Sequence, residues 1–124
     1  MSIRRVEEKG ENFSGLVTAL LDVLVLYDYW VPARVTWRLK SFGNYLGTVA
    51  AWGAANSFWT IEVNGTIVPI NGIIADQVGY AAQRQPITPI VAHAGDHIQI
   101  IGHNLTVADL QMGISLGWDL EYGG

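Results

Sequence analysis

A chain of 124 residues, half of them hydrophobic and only 15% charged, with a net charge of −4, has the size of one domain with one core. The acidic balance and the lack of any Lys/Arg cluster exclude a nucleic-acid surface. The absence of cysteine excludes disulfides, thiolate catalysis and cysteine-ligated metal. Ordinary domains carry about 25% charged residues, so the surface is short of charge. With five Trp and five Tyr, that shortage points to an extensive subunit interface and to a homo-oligomer, for which a trimer is the expectation.

The chain opens on a charged stretch holding Arg4, Arg5, Glu7, Glu8, Lys9 and Glu11. Little there can be buried, which predicts a short flexible arm over residues 1–11 ahead of a single domain over 12–124. No apolar run follows Arg4 and Arg5, so no secretory signal is expected, and a cytoplasm is the expected site of synthesis. The apolar stretch from Leu16 to Val31 is interrupted by Asp22 and Asp28 and is shorter than the roughly 20 residues a bilayer needs. No membrane partner is expected.

Within that stretch Val23, Val25, Tyr27 and Tyr29 favour a strand from about Val23. Ala33 to Phe42 alternates apolar Val35, Trp37 and Leu39 with polar Arg34, Thr36, Arg38 and Lys40, a period of two that puts Trp37 on a core. Gly43 to Asn56, with Tyr45 and Trp52 inside it, is glycine-rich and longer than a hairpin loop, so a crossover between sheets is expected there. Ser57–Val63 and Thr66–Pro69 flank Asn64-Gly65, a strong signal for a tight hairpin with a type I′ turn. Ile87–Val91 and His97–Ile101 are joined by Ala94-Gly95-Asp96 and read as a second hairpin-like pair. From Leu110 to Tyr122 every even position is apolar, which predicts one long strand, bent where Gly113 and Gly117 lack side chains. Roughly seven or eight strands with regular turn signals predict an all-β antiparallel sandwich or barrel.

Candidate chemistry is sparse. His93, Asp96 and His97 share one turn, but zinc takes three or four fixed ligands, and ordinary rim residues are the stronger reading. No Ser-His-acid set or phosphate-cradling loop is legible. Asp119 and Glu121 form an acidic patch on the last strand and read as solvated or interface carboxylates, not a glycosidase pair. Arg34, Arg38 and Lys40 form a basic stripe that either meets solvent or pairs with that patch. No cofactor, no metal and no catalysis are expected.

The run Ser57-Phe58-Trp59-Thr60-Ile61-Glu62-Val63-Asn64-Gly65-Thr66, then Gln77-Val78-Gly79-Tyr80, Gln85-Pro86-Ile87-Thr88-Pro89, Ala94-Gly95-Asp96-His97-Ile98-Gln99-Ile100 and the closing strand from Gly113 to Leu120, resembles jelly-roll domains of virions. These are the decoration (cement) and spike proteins of tailed bacteriophages. The resemblance implies a jelly-roll sandwich and a non-enzymatic structural virion protein on the capsid surface. As a trimer, it would bind the major capsid protein and stabilise the head. Arg4, Arg5, Glu7, Glu8 and Lys9 of the arm would then contact the capsid, with Arg34, Arg38 and Trp52 as further partner-binding candidates. The competing expectation is a carbohydrate- or receptor-binding module using Trp30, Trp52 or Tyr45.

Overall fold

The computed structural model describes residues 5–18, 22–46, 57–69 and 84–123. Eight strands run through them: β1 (Arg5–Val17), β2 (Asp22–Trp30), β3 (Val35–Leu46), β4 (Ser57–Val63), β5 (Thr66–Ile67), β6 (Gln85–Ala92), β7 (His97–Asn104) and β8 (Leu110–Tyr122). They form two antiparallel four-stranded sheets, ordered β1-β8-β3-β6 and β2-β7-β4-β5. The protein is an all-β sandwich. Its pairing is nested: β4 with β5, β3 with β6, β2 with β7 and β1 with β8.

The core follows from period-two alternation. Val35, Trp37 and Leu39 of β3 and Met112, Ile114 and Leu116 of β8 face Trp59 and Ile61 of β4 and Ile98 and Ile100 of β7, all buried. The alternation in β3 changes phase at Lys40, the extra residue between the pairs Leu39↔Trp118 and Ser41↔Gly117. This bulge turns Phe42 and Asn44 inward, on even positions, after odd-numbered Leu39. The Asn64-Gly65 turn is formed as its chemistry requires, with φ of 54° and 81° at the two residues.

Four expectations need correction. The charged amino-terminal segment is not a free arm from Arg5 onward: Arg5 to Glu11 are the first half of β1, paired residue for residue with Tyr122 to Leu116. Backbone hydrogen bonding to β8 holds them, and so their lack of apolar side chains does not decide. Arg5, Glu7, Lys9 and Glu11 lie on the face of β1 that turns toward the other sheet, an arrangement that protects an edge strand from pairing with other chains. Arg4 lies outside the described residues.

The second correction is that β6 and β7 are not a hairpin. They belong to different sheets, and Ala94-Gly95-Asp96 carries the chain round the end of the sandwich, with Gly95 at φ 90°. Apolar runs joined by a short turn look alike in either case, since only the partners of each strand distinguish them. Third, the expected crossover begins later, because Gly43 to Leu46 continue β3 against β8. The ring of Tyr45 packs over Gly113, where a methyl group would overlap it. Trp52 lies outside the described residues, as do Gln77 to Tyr80. Fourth, Ala33 and Arg34 precede β3 in a turn closed by Val35 N–H to Pro32 O at 3.2 Å.

Candidate interaction surface

The side chains on the outer face of the β2-β7-β4 sheet follow from one bulge. Val25 pairs with Ile101 and Tyr27 with Ile100, so Leu26 is an extra residue in β2. A regular strand would put Val23, Val25, Tyr27 and Tyr29 on one face. The bulge splits them: Tyr27 is buried and packs edge-on against Phe13 and Trp118, with ring centroids 5.2 and 5.7 Å apart, while Val23 and Val25 are 50% and 42% exposed. Trp30, at the end of the same strand, is 65% exposed.

Two histidines of β7 share this face, each lying flat on an aromatic ring. His97 stacks on Trp30 with centroids 3.9 Å apart, and its Nε2 bonds the Asp28 carboxylate. His103 stacks on Phe58 at 4.3 Å, and its Nε2 shares a hydrogen with the Thr60 hydroxyl at 2.9 Å. Partial burial holds the His103 imidazole below its ordinary pKa, with Glu62 opposing that shift, so the ring is neutral at neutral pH. Between the two stacks the register sets Val25, Ile101 and Thr60 side by side. The face thus has Trp30 and Phe58 near opposite ends, with the polar row Asp28, Gln99 and Glu62 next to Trp30 and the row Val25, Ile101 and Thr60 next to Phe58.

At the Trp30 end, the Asn64-Gly65 turn and the turn from His93 to His97 are tied together. Asn64 accepts from the His97 backbone N–H at 2.8 Å and donates to Asp96 at 2.9 Å. The His93 backbone N–H, then the Asn64 amide, hold the Asp96 carboxyl below the usual carboxylate range. His93 and His97 therefore do different jobs. Among the described residues no group of three or more His, Asp or Glu side chains is placed to hold a metal ion.

The other predicted residues lie on the opposite sheet. Arg38 meets Glu121 at 3.5 Å, and Lys40 meets Asp119 at 3.0 Å and Glu8 at 3.9 Å, so the basic stripe and acidic patch pair across β1, β8 and β3. Glu7 bridges Arg5 and Lys9 at 3.2 and 3.3 Å. The Tyr122 hydroxyl and the Lys9 ammonium hold the Glu7 carboxyl below its usual range. Arg5 also lies over the Tyr122 ring, 4.4 Å from its centroid. Of the partner-binding candidates, Arg5, Glu7 and Lys9 thus form one charge cluster on the inward-turned face of β1, while Glu8 and Arg38 lie on the outer face of the sheet beside Lys40, Asp119 and Glu121. Arg34 stands at the end of the sheet, in no ion pair among the described residues.

No protein-family model matches this chain, and no curated protein matches it either.

Proposed function

We propose that the chain is a non-enzymatic structural protein of jelly-roll type that decorates a virus capsid, binding coat subunits and assembling as a trimer. One observation carries the choice of a packing role: Val23, Val25 and Trp30 stand exposed on one sheet face, the two valines together and Trp30 beyond the Asp28–Gln99 pair. Aromatic and aliphatic side chains gathered in this way are costly to leave in water and are the usual centre of a protein interface. The nested pairing of eight strands in two sheets supports the jelly-roll reading. The quoted resemblance supports the virion setting, reached from a host cytoplasm. The charges of Glu8, Lys40 and Arg38, on the outer face of the opposite sheet, then supply a separate, salt-sensitive contact.

The test uses the full chain with empty shells of a tailed-bacteriophage coat protein, the one whose gene adjoins this protein's gene if sequencing of its source finds one. Light scattering should give a trimer at micromolar concentration, and the protein should sediment with the shells. Val25→Lys and Trp30→Ala, both at exposed positions, should remain folded and lose one or both associations. A monomer that never sediments with shells would end the proposal.

A second reading has its own observation. The exposed Trp30 ring, backed by His97 and beside Asp28, is a flat aromatic platform with polar groups at hand, as stacking on a sugar ring requires. Glycan binding lost in Trp30→Ala, without shell binding, would put this reading first.

A further inference from the structure

A concave site of about 460 Å³ lies at the end of the β1-β8-β3-β6 sheet, lined by Arg34, Thr36, Arg38, His93 and Glu121 among others. The ladder explains the grouping. Thr36 is paired with Glu121 on one side, and the β3–β6 register of Trp37↔Ala92, carried one step further, sets His93 on its other side. Arg38 follows two residues along on the same face. Arg34 closes the other end. Thr36 therefore has Arg38 beside it along the strand, Arg34 in the turn that leads into it, and a single carboxylate opposite.

The charges do not balance. Glu121 sits 3.5 Å from Arg38, whereas Arg34 forms no ion pair among the described residues. The other described cations are engaged: Arg5 and Lys9 with Glu7, Lys40 with Asp119, and Arg84 with the Leu116 carbonyl at 2.9 Å. In a chain with four more acidic than basic residues, Arg34 is thus the cation for which no bond to a carboxylate or carbonyl is found among the described residues.

Backbone conformation gives an independent argument. Arg34 occupies φ 64°, at the third position of the Pro32–Val35 turn, where glycine is the unstrained residue. Its carbonyl accepts from Gly123 N–H at 2.7 Å, which fixes the turn against the end of β8. A residue with a long cationic side chain has been placed where its backbone is strained and where it lines a cavity. Strain kept at a cavity wall is a mark of a working residue.

We infer that this cavity is an oxyanion site, in which the Arg34 guanidinium and the Thr36 hydroxyl hold a carboxylate or phosphate group and Arg38, shared with Glu121, adds charge. A planar guanidinium presents paired donors suited to either group. The site lies on the sheet opposite the Trp30 face and does not depend on the docking reading.

The experiment titrates the full chain, labelled with nitrogen-15, with sodium phosphate and separately with sodium acetate at constant ionic strength. Saturable shifts are expected at the Arg34 Nε–H and at the Thr36 and His93 amides. Saturation by phosphate alone assigns a phosphate ligand, by acetate alone a carboxylate, and by both a general oxyanion site. Arg34→Gln should weaken binding about tenfold or more, the loss of one charge-assisted hydrogen-bonding group. Arg34→Gly, which suits the turn, should do the same while the amide spectrum stays that of a folded protein. Non-saturating shifts with both anions, or titrations unchanged in both variants, would overturn the inference.

Discussion

The indole Nε1 of Trp37 donates a hydrogen bond of 3.2 Å to the hydroxyl of Tyr27, joining β3 of one sheet to β2 of the other inside the core. Both rings are buried, with centroids 6.3 Å apart. Burial pushes the Tyr27 hydroxyl up to about 12, against the smaller opposing effect of the Trp37 hydrogen bond. The folded state therefore holds this proton more tightly than the unfolded state, whose tyrosine titrates near 10. Stability from this group is complete below pH 10 and is lost as pH rises from about 10 to 12. Denaturant unfolding across that range should show a fall of about 2 to 3 kcal/mol. Tyr27→Phe should flatten the fall, at a cost near neutral pH of about 1 to 3 kcal/mol for the unpaired indole N–H.

Trp37→Ala should destabilise by about 3 to 5 kcal/mol, because the side chain is fully enclosed and its removal leaves a large cavity. Arg38→Ala, its neighbour on the outer face, gives up a partly exposed ion pair and should cost at most about 1 kcal/mol. Urea midpoints at unchanged slope measure both. A reversed order would mean that β3 presents its other face to the core.

Deletion of residues 1–11 should lower the melting temperature by many degrees. The deletion strips the partner from Leu116 to Tyr122 along one side of β8 and exposes that strand as a new edge. The truncated protein should also aggregate on heating, seen by light scattering during the melt. A melting temperature within a degree or two of the full chain would show that β1 contributes little before Asn12.

Gly113→Val should destabilise by about 1 to 3 kcal/mol, because the new side chain displaces the Tyr45 ring from the outer face of β8. Tyrosine fluorescence and calorimetry read the two halves of this claim. Gly65→Ala probes a different constraint, since no atom crowds that glycine but its φ is 81°. Its cost should come from backbone strain alone, about 1 kcal/mol.

Much of the architecture could be read from side-chain alternation. The long strand Leu110–Tyr122, the Asn64-Gly65 turn and the inward face of Val35 to Leu39 match the structure because each rests on local rules. Bulges were invisible, since Leu26 and Lys40 look like ordinary strand residues and reveal themselves only against the spacing of a partner. That is why the strand expected from Val23 onward did not tell that Val23 and Val25 stand on the surface while Tyr27 is buried. The amino-terminal strand was missed for a related reason: charge composition reports what a segment can bury, whereas β1 before Phe13 is held by its ladder to β8. The cavity beside Arg34 joins residues from β3, β6 and β8, a proximity that only long-range register creates.

The nested order of the strands also bears on how the chain can fold. Closing a loop costs entropy that grows with its length. Residues Val63 and Thr66 meet across a two-residue turn, whereas Arg5 and Tyr122 meet only after nearly the whole chain has been gathered. Each inner pair, once formed, shortens the path that the next must close, so the least costly sequence of assembly works outward from β4–β5 to β1–β8. The same order makes the outermost pair the last to gain support and the first to fray. Ordered from such a fold, hydrogen exchange should be slowest in β7, held between β2 and β4, and fastest at the β1 edge.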